Sequence, residues 1–163
     1  MRRLLDFLLY PSTSLPKYCL YLVPLALVPS IGFYSLAMFL FGVAGGDVTS
    51  HSAPALVITL GNFLGVVVFA PVVETVLLSG LLKRLLSTPL RPTWCALVSA
   101  VLWGGIHGVL AGPWFFGTVW SFFVFSCGYI SWRRESYGKG LLAALVPHAM
   151  LNSVVILVVE LVS

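Results

Sequence analysis

The chain has 163 residues, of which 60% are hydrophobic and 9% are charged, and its formal net charge is +4. A mean hydropathy of +1.05 excludes a soluble domain folded around a single core and indicates a multi-pass membrane protein. The nine Lys and Arg residues stand in small clusters between apolar runs. Membrane topology explains that arrangement, so nucleic acid is not expected as a partner.

The apolar runs predict an all-α fold, a bundle of about five transmembrane helices. Residues 1–16 are predicted as an N-terminal interfacial segment, and residues 17–163 as a single transmembrane domain. The predicted spans cover about 18–43, 53–86, 93–109, 114–132 and 140–162. The second stretch exceeds the roughly 20 residues that a span needs, and Pro71 would place a break within it. One kinked helix is favoured there over two short ones.

The positive charges predict an orientation. Every Lys and Arg lies in one of three segments: the N-terminal segment up to Lys17, the turn from Lys83 to Arg91, and the loop from Arg133 to Lys139. With five spans these segments share one side of the membrane, which the positive-inside rule makes cytoplasmic. We therefore expect a cytoplasmic N-terminus and a C-terminus outside.

Four polar residues within the spans are candidates for a site. Glu74 interrupts an apolar stretch, where an ionisable side chain is costly and normally has a partner and a function. His107 lies on the next span, and His148 and Asn152 lie on the last one. The i, i+4 spacing of His148 and Asn152 puts both on one helical face. That face is predicted to look at Glu74.

Glu74 and His148 are predicted to lie at the same depth in the membrane, with His107 farther toward the outside. Glu74 and His148 each stand nine residues from the nearest Lys, about 13 Å along a helix that rises about 1.5 Å per residue. His107 is about 21 Å from the cytoplasmic end of its helix, which tilts the site toward the outer half of the membrane. Gly104 and Gly105 before it would allow another helix to approach closely.

Three short motifs occur in a fixed order: P-V-V-E ending at Glu74, W-G-G-I-H from Trp103 to His107, and H-A-M-L-N from His148 to Asn152. Together they resemble the E-E-x-x-x-R, F-x-x-x-H and H-x-x-x-N motifs of the CPBP (Abi) family. That family includes type II CAAX prenyl endopeptidases and bacteriocin-processing and immunity proteins. The resemblance covers about residues 55–155 and implies a membrane-embedded protease.

The chain departs from the first family motif at two positions. Thr75 replaces the second Glu, and Ser79 replaces the Arg. Those family positions are i, i+4 apart and can pair on a helix, so their joint loss leaves no unpaired charge behind. We interpret the change as the replacement of a structural pair, not as the loss of catalytic activity. It leaves open whether the substrate is prenylated.

The resemblance implies a glutamate-dependent endopeptidase without a cofactor. Glu74 would act as general base on a water shared with His107, and His148 and Asn152 would donate hydrogen bonds to the oxyanion. Trp103, which replaces the family's Phe, would contact the substrate. One alternative is Zn²⁺ held by Glu74, His107 and His148. A second is a non-catalytic immunity or scaffold protein that uses the same residues to bind a peptide.

The expected partners are a membrane-anchored peptide or protein substrate and the lipid bilayer. The outward tilt of the site and the short chain favour the myxosortase-like branch of the family, whose members process C-terminal sorting signals of exported proteins. The expected location is then a bacterial inner (plasma) membrane. A protease for prenylated CAAX-type peptides, facing the cytoplasm, is the alternative.

Overall fold

The computed structural model describes residues 2–10, 13–46, 59–110 and 112–162, and these residues form six helices without any strand. The helices are α1 (Arg2–Leu9), α2 (Leu15–Val43), α3 (Leu60–Leu85), α4 (Pro92–Leu110), α5 (Trp114–Trp132) and α6 (Tyr137–Val162). Helices α2 to α6 are each long and apolar enough to cross a membrane. The predicted all-α bundle with five candidate spans is confirmed, whereas its orientation in the membrane stays a prediction.

Helix α3 is one helix, as the sequence favoured. The predicted start of this span at residues 53–58 lies outside the described residues, and the helix is described from Leu60. Its irregularity is a π-helical turn, Gly65–Phe69, that ends two residues before Pro71. Proline has no backbone N–H, so a carbonyl in the preceding turn loses its helical hydrogen-bond donor and the hydrogen-bond pattern of that turn changes.

Helix α5 is the centre of the bundle. In its most apolar window 56% of the residues are buried, compared with 11% to 33% for the other four spans. Its second half, from Ser121 to Trp132, is buried almost without interruption. The other spans therefore pack around α5 and turn their large apolar side chains outward, as expected of a bundle surrounded by lipid.

Two glycines, Gly104 of α4 and Gly128 of α5, allow close packing between α5 and its neighbours. A Cβ atom on Gly104 would lie 3.1 Å from Val119 Cβ, and one on Gly128 would lie 2.8 Å from the carbonyl oxygen of Ala143. The predicted close approach at the Gly104-Gly105 pair is thus correct for Gly104. At Gly105 a Cβ would meet nothing within 4 Å, so that half of the prediction is wrong.

Two prolines inside the spans, Pro29 and Pro147, each leave a carbonyl group without its α-helical donor, and a neighbouring helix lies against that carbonyl. Pro29 cannot donate to Leu25, four residues earlier, and the indole Nε1 of Trp120 donates to Leu25 O instead at 2.8 Å. Pro147 likewise removes the donor to Ala143, whose oxygen lies against Gly128. The Leu25 carbonyl thereby keeps a hydrogen bond within the bundle.

One end of the bundle collects the basic residues. Arg134, in the turn after α5, donates to the carbonyl of Leu9 at 3.3 Å and lies over the Tyr10 ring, so α1 docks at this end. Ser79 Oγ and Tyr137 Oη, 3.2 Å apart, join the last part of α3 to the start of α6 at the same end. The three basic segments therefore share one side, which we call the basic end.

Candidate active site

A cavity of about 400 Å³ lies between the spans and contains all four polar candidates. Every one of the five spans contributes to its wall. The lining residues are Leu27, Ser30, Ile31 and Tyr34 of α2; Glu74 of α3; His107 of α4; Trp114, Gly117, Thr118, Ser121, Phe122 and Phe125 of α5; and His148, Leu151, Asn152 and Val155 of α6. A mostly apolar cavity with a few convergent polar groups is the usual form of a ligand site.

Glu74 and His148 face each other across α3 and α6. Glu74 Oε2 lies 3.6 Å from His148 Nε2, and the two side chains are 22% and 6% exposed. Within the described part of the chain, this carboxylate oxygen is buried and has no hydrogen-bond partner. A buried carboxylate without a fixed partner is costly to maintain. It is therefore available for a water molecule or a substrate.

The orientation of His107 is set by its own helix. His107 Nδ1 lies 2.9 Å from the carbonyl oxygen of Trp103, one turn earlier. A carbonyl only accepts, so Nδ1 carries the hydrogen, and in the neutral ring Nε2 is left as an acceptor. The ring also borders the cavity. His107 can therefore accept a hydrogen bond from a water inside it.

Asn152 joins α6 to the π-helical turn of α3. Its amide nitrogen Nδ2 donates to the carbonyl oxygen of Val66 at 2.9 Å. Sequence reasoning placed Asn152 on the His148 face, and both residues do line the cavity. The contact with Val66 was not expected, because it depends on where the π-helical turn falls.

Aromatic rings from α5 hold the two histidines. The His148 ring stacks on Phe125 at a centroid distance of 4.8 Å and meets Phe122 edge-on at 5.3 Å. Phe122 also contacts the His107 ring at 5.5 Å. Sequence reasoning missed both phenylalanines. Their i, i+3 spacing on one face of α5 is the signal that was available, although apolar residues at that spacing are common in any span.

Trp103 lies behind His107. Its ring is stacked on Phe122 with a centroid distance of 5.1 Å, and the residue is 8% exposed. The Trp103 carbonyl thus orients His107, and the Trp103 ring packs on Phe122. The substrate contact predicted for Trp103 stays a prediction.

The two positions that depart from the family motif are both buried. Thr75 and Ser79 are each 3% exposed. The Ser79 hydroxyl lies 2.7 Å from the carbonyl of Val76, to which it donates, and 3.2 Å from Tyr137 Oη. Small hydroxyl side chains occupy these sites without any uncompensated charge. The interpretation of Thr75 and Ser79 as a swapped structural pair stays a prediction.

The site residues do not form a compact metal-binding cluster. Among the residues that the structure describes, no three His, Cys, Asp or Glu side chains are close enough to hold one metal ion together. The zinc alternative would need Glu74, His107 and His148 to move toward a common point. Zinc is therefore kept as an alternative for experiment.

A multi-pass helical membrane protein that directs one carboxylate and two imidazoles into a shared cavity is the class that this fold and site define. Residues 55–154 match the family model described as Type II CAAX prenyl endopeptidase Rce1-like. The match covers more than half of the chain, so the chain belongs to this CPBP family of CAAX-type membrane proteases. The chain matched none of the curated proteins and none of the solved structures with which it was compared.

Proposed function

We propose that the protein is a glutamate-dependent intramembrane endopeptidase that hydrolyses a peptide bond close to a membrane anchor. The observation that carries the proposal is Glu74 Oε2, which is buried beside His148 in a cavity shared with His107. A protease family and a membrane-spanning fold support the same activity. The assignment of roles to individual residues is our proposal.

The first step is the activation of water by two acceptors. A water in the cavity gives one hydrogen bond to the Glu74 carboxylate and the other to Nε2 of His107. This arrangement directs a lone pair of the water oxygen at the scissile carbonyl, and Glu74 takes the proton as attack proceeds. The Nδ1 bond to Trp103 fixes the ring for this purpose.

The second step is the collapse of the tetrahedral intermediate. His148, held between Phe122 and Phe125, donates from Nε2–H to the oxygen that develops negative charge. Glu74 then returns its proton to the leaving amine, and the C–N bond breaks. The reaction consumes one water and needs no other reactant.

The substrate is proposed to enter from the end of the bundle opposite the basic end. The cavity reaches Trp114, the first residue of α5, and Tyr34, in the last part of α2. Both residues are far from the basic end, which the positive-inside rule assigns to the cytoplasm. A cavity extending outward supports an exported substrate, and we propose a C-terminal sorting signal with a membrane anchor. The bacterial inner membrane is the location that this substrate implies.

A prenylated CAAX-type peptide is the second candidate substrate. The description of the matched family names prenyl endopeptidases, and this is the observation in its favour. The cavity wall is mostly apolar, which suits an isoprenoid as well as apolar side chains of a peptide next to its anchor. The proposed residue roles are the same for both substrates, so the two candidate functions differ only in which peptide is cleaved.

Two matched probe peptides test the proposal. The full chain is reconstituted in vesicles with an internally quenched peptide that ends in an apolar anchor, and with the same peptide carrying a farnesylated cysteine instead. We expect cleavage of the anchored peptide, with the cut located by mass spectrometry. Faster cleavage of the farnesylated probe would favour the prenylated CAAX-type peptide as the substrate. Cleavage of neither probe, together with no uncleaved precursor in a deletion strain, would overturn the protease proposal.

A further inference from the structure

The carbonyl of Val66 lacks both of the donors that a helix would offer it. The Ala70 N–H donates to Gly65, five residues earlier, and so does not serve Val66 at the α-helical spacing of four. At the π-helical spacing of five the donor to Val66 would be residue 71, which is Pro71 and has no N–H. The proline therefore creates a specific orphan carbonyl.

Asn152 supplies the missing hydrogen bond from another helix. Its Nδ2 donates to Val66 O at 2.9 Å, and the amide nitrogen must face this oxygen because a carbonyl only accepts. The Val66 carbonyl has no helical donor that could take the place of this bond, so the π-helical turn depends on Asn152. The turn lies directly before the segment that carries Glu74.

We propose that Asn152 is a positioning residue that fixes Glu74 through the π-helical turn. Asn152 holds the start of α3, and one turn earlier on the same face of α6 His148 lies beside Glu74. These two contacts set the rotation and height of α3 against α6. The inference rests on the proposed role of Glu74 as general base. It replaces the oxyanion contact that sequence resemblance implied for Asn152.

The test is a cycle between Asn152 and Pro71. Asn152→Ala is expected to lower kcat on the anchored probe peptide by about a hundredfold, the scale of a misplaced catalytic group, with KM nearly unchanged. Pro71→Ala restores a backbone N–H at the position that can serve Val66. The double variant Pro71→Ala/Asn152→Ala should therefore regain at least about tenfold of the lost kcat, which corresponds to one typical hydrogen bond.

A matched control separates rescue from general stabilisation. Removal of any proline from a helix interior can stabilise the protein. Pro24, inside α2, is such a proline, and it contributes nothing to α3. Pro24→Ala/Asn152→Ala should stay as inactive as Asn152→Ala alone, and equal rescue by both prolines would overturn the proposal.

The rate of amide hydrogen exchange in residues 65–70 tests the contact between Asn152 and Val66 without any substrate. Exchange should be faster in Asn152→Ala and return toward the wild-type rate in Pro71→Ala/Asn152→Ala. Unchanged exchange in Asn152→Ala, or full activity of that variant, would overturn the positioning role. If the wild-type protein cleaves neither probe and a deletion strain accumulates no uncleaved precursor, the proposed protease function fails, and exchange still decides whether Asn152 holds the turn.

Discussion

Glu74 Oε2 lies 3.6 Å from His148 Nε2, close enough for an electrostatic interaction and too far for a direct hydrogen bond. The same oxygen has no hydrogen-bond partner among the described residues. A carboxylate that served only to join two helices would be expected to form a direct bond, because unpaired burial is costly. The separation therefore favours a catalytic role for Glu74 over a structural one.

Glu74→Gln is expected to abolish cleavage without unfolding the protein. Glutamine has nearly the same shape and cannot take a proton from water, so kcat should fall by at least about a hundredfold, as for removal of a general base. Loss of a buried charge should leave the thermal midpoint unchanged or higher. Both quantities are measured on purified protein, activity with the anchored probe peptide and stability by thermal unfolding.

The matched control for this variant is Glu135→Gln. Glu135 is exposed and pairs with Lys139 at the basic end, so its charge is remote from the cavity. Its activity should equal that of the wild type. Full activity of Glu74→Gln would contradict the mechanism. Normal peptide binding by Glu74→Gln and His107→Ala with an undiminished phenotype would favour the non-catalytic alternative.

Metal removal distinguishes the water mechanism from the zinc alternative. Because the proposed mechanism activates water with Glu74 and His107 and uses no metal ion, cleavage should persist after treatment with a chelator. The measurement is the rate of cleavage with and without 1,10-phenanthroline, together with metal analysis of the purified protein. Loss of activity that added Zn²⁺ restores, with one zinc per chain that Glu74→Gln lacks, would establish the zinc alternative instead.

Ser30→Ala is expected to weaken substrate binding. Ser30 lines the cavity from α2, is 8% exposed, and its hydroxyl has no hydrogen-bond partner among the described residues. A hydroxyl in that state is suited to a main-chain group of the bound peptide. Its loss should raise KM by about three- to tenfold with kcat unchanged, the effect of one uniform hydrogen bond.

Steady-state kinetics on the anchored probe peptide provide this measurement. Ser153→Ala is the control, because the Ser153 hydroxyl donates to Ala149 within its own helix at 2.8 Å. That variant should keep the wild-type KM. A Ser30→Ala protein with unchanged KM would show that the peptide does not use this hydroxyl.

The sequence was sufficient for the architecture and for bringing four polar residues to one cavity. Apolar runs of span length must form helices in a membrane. Polar side chains within such helices face the interior of the bundle, so a Glu, two His residues and an Asn at similar depths are expected to lie close together. All four line one cavity. Long apolar helices and rare polar residues within them are strong local signals, so no knowledge of packing was needed.

The detailed contacts could not be predicted from the sequence. Pro71 predicted a break, but the irregularity is a π-helical turn before it, and whether a helix kinks or shifts register depends on neighbouring donors such as Asn152. Phe122 and Phe125 are two apolar residues among many in α5. Only the packing of α5 at the centre of the bundle selects them as the support of His148.

Trp120→Phe is expected to destabilise the bundle through the carbonyl that Pro29 leaves free. The indole Nε1 of Trp120 donates to Leu25 O at 2.8 Å, and the usual α-helical donor four residues later is missing because residue 29 is proline. Phenylalanine keeps an aromatic ring beside Phe33 and Phe123 and removes the donor. The free energy of unfolding should fall by about 1 kcal/mol, within the range for buried hydrogen bonds in membrane proteins.

A double-variant cycle with Pro29→Ala assigns this loss to the carbonyl. Alanine at position 29 supplies the N–H that Leu25 lacks, so Trp120→Phe should cost little in the Pro29→Ala background. Reversible unfolding in detergent is the measurement, and Trp94→Phe, at a 55% exposed position of α4, is the control with no expected loss. An equal loss in both backgrounds would mean that Trp120 stabilises the bundle by packing alone, and that the orphan carbonyl at Leu25 is tolerated without a donor.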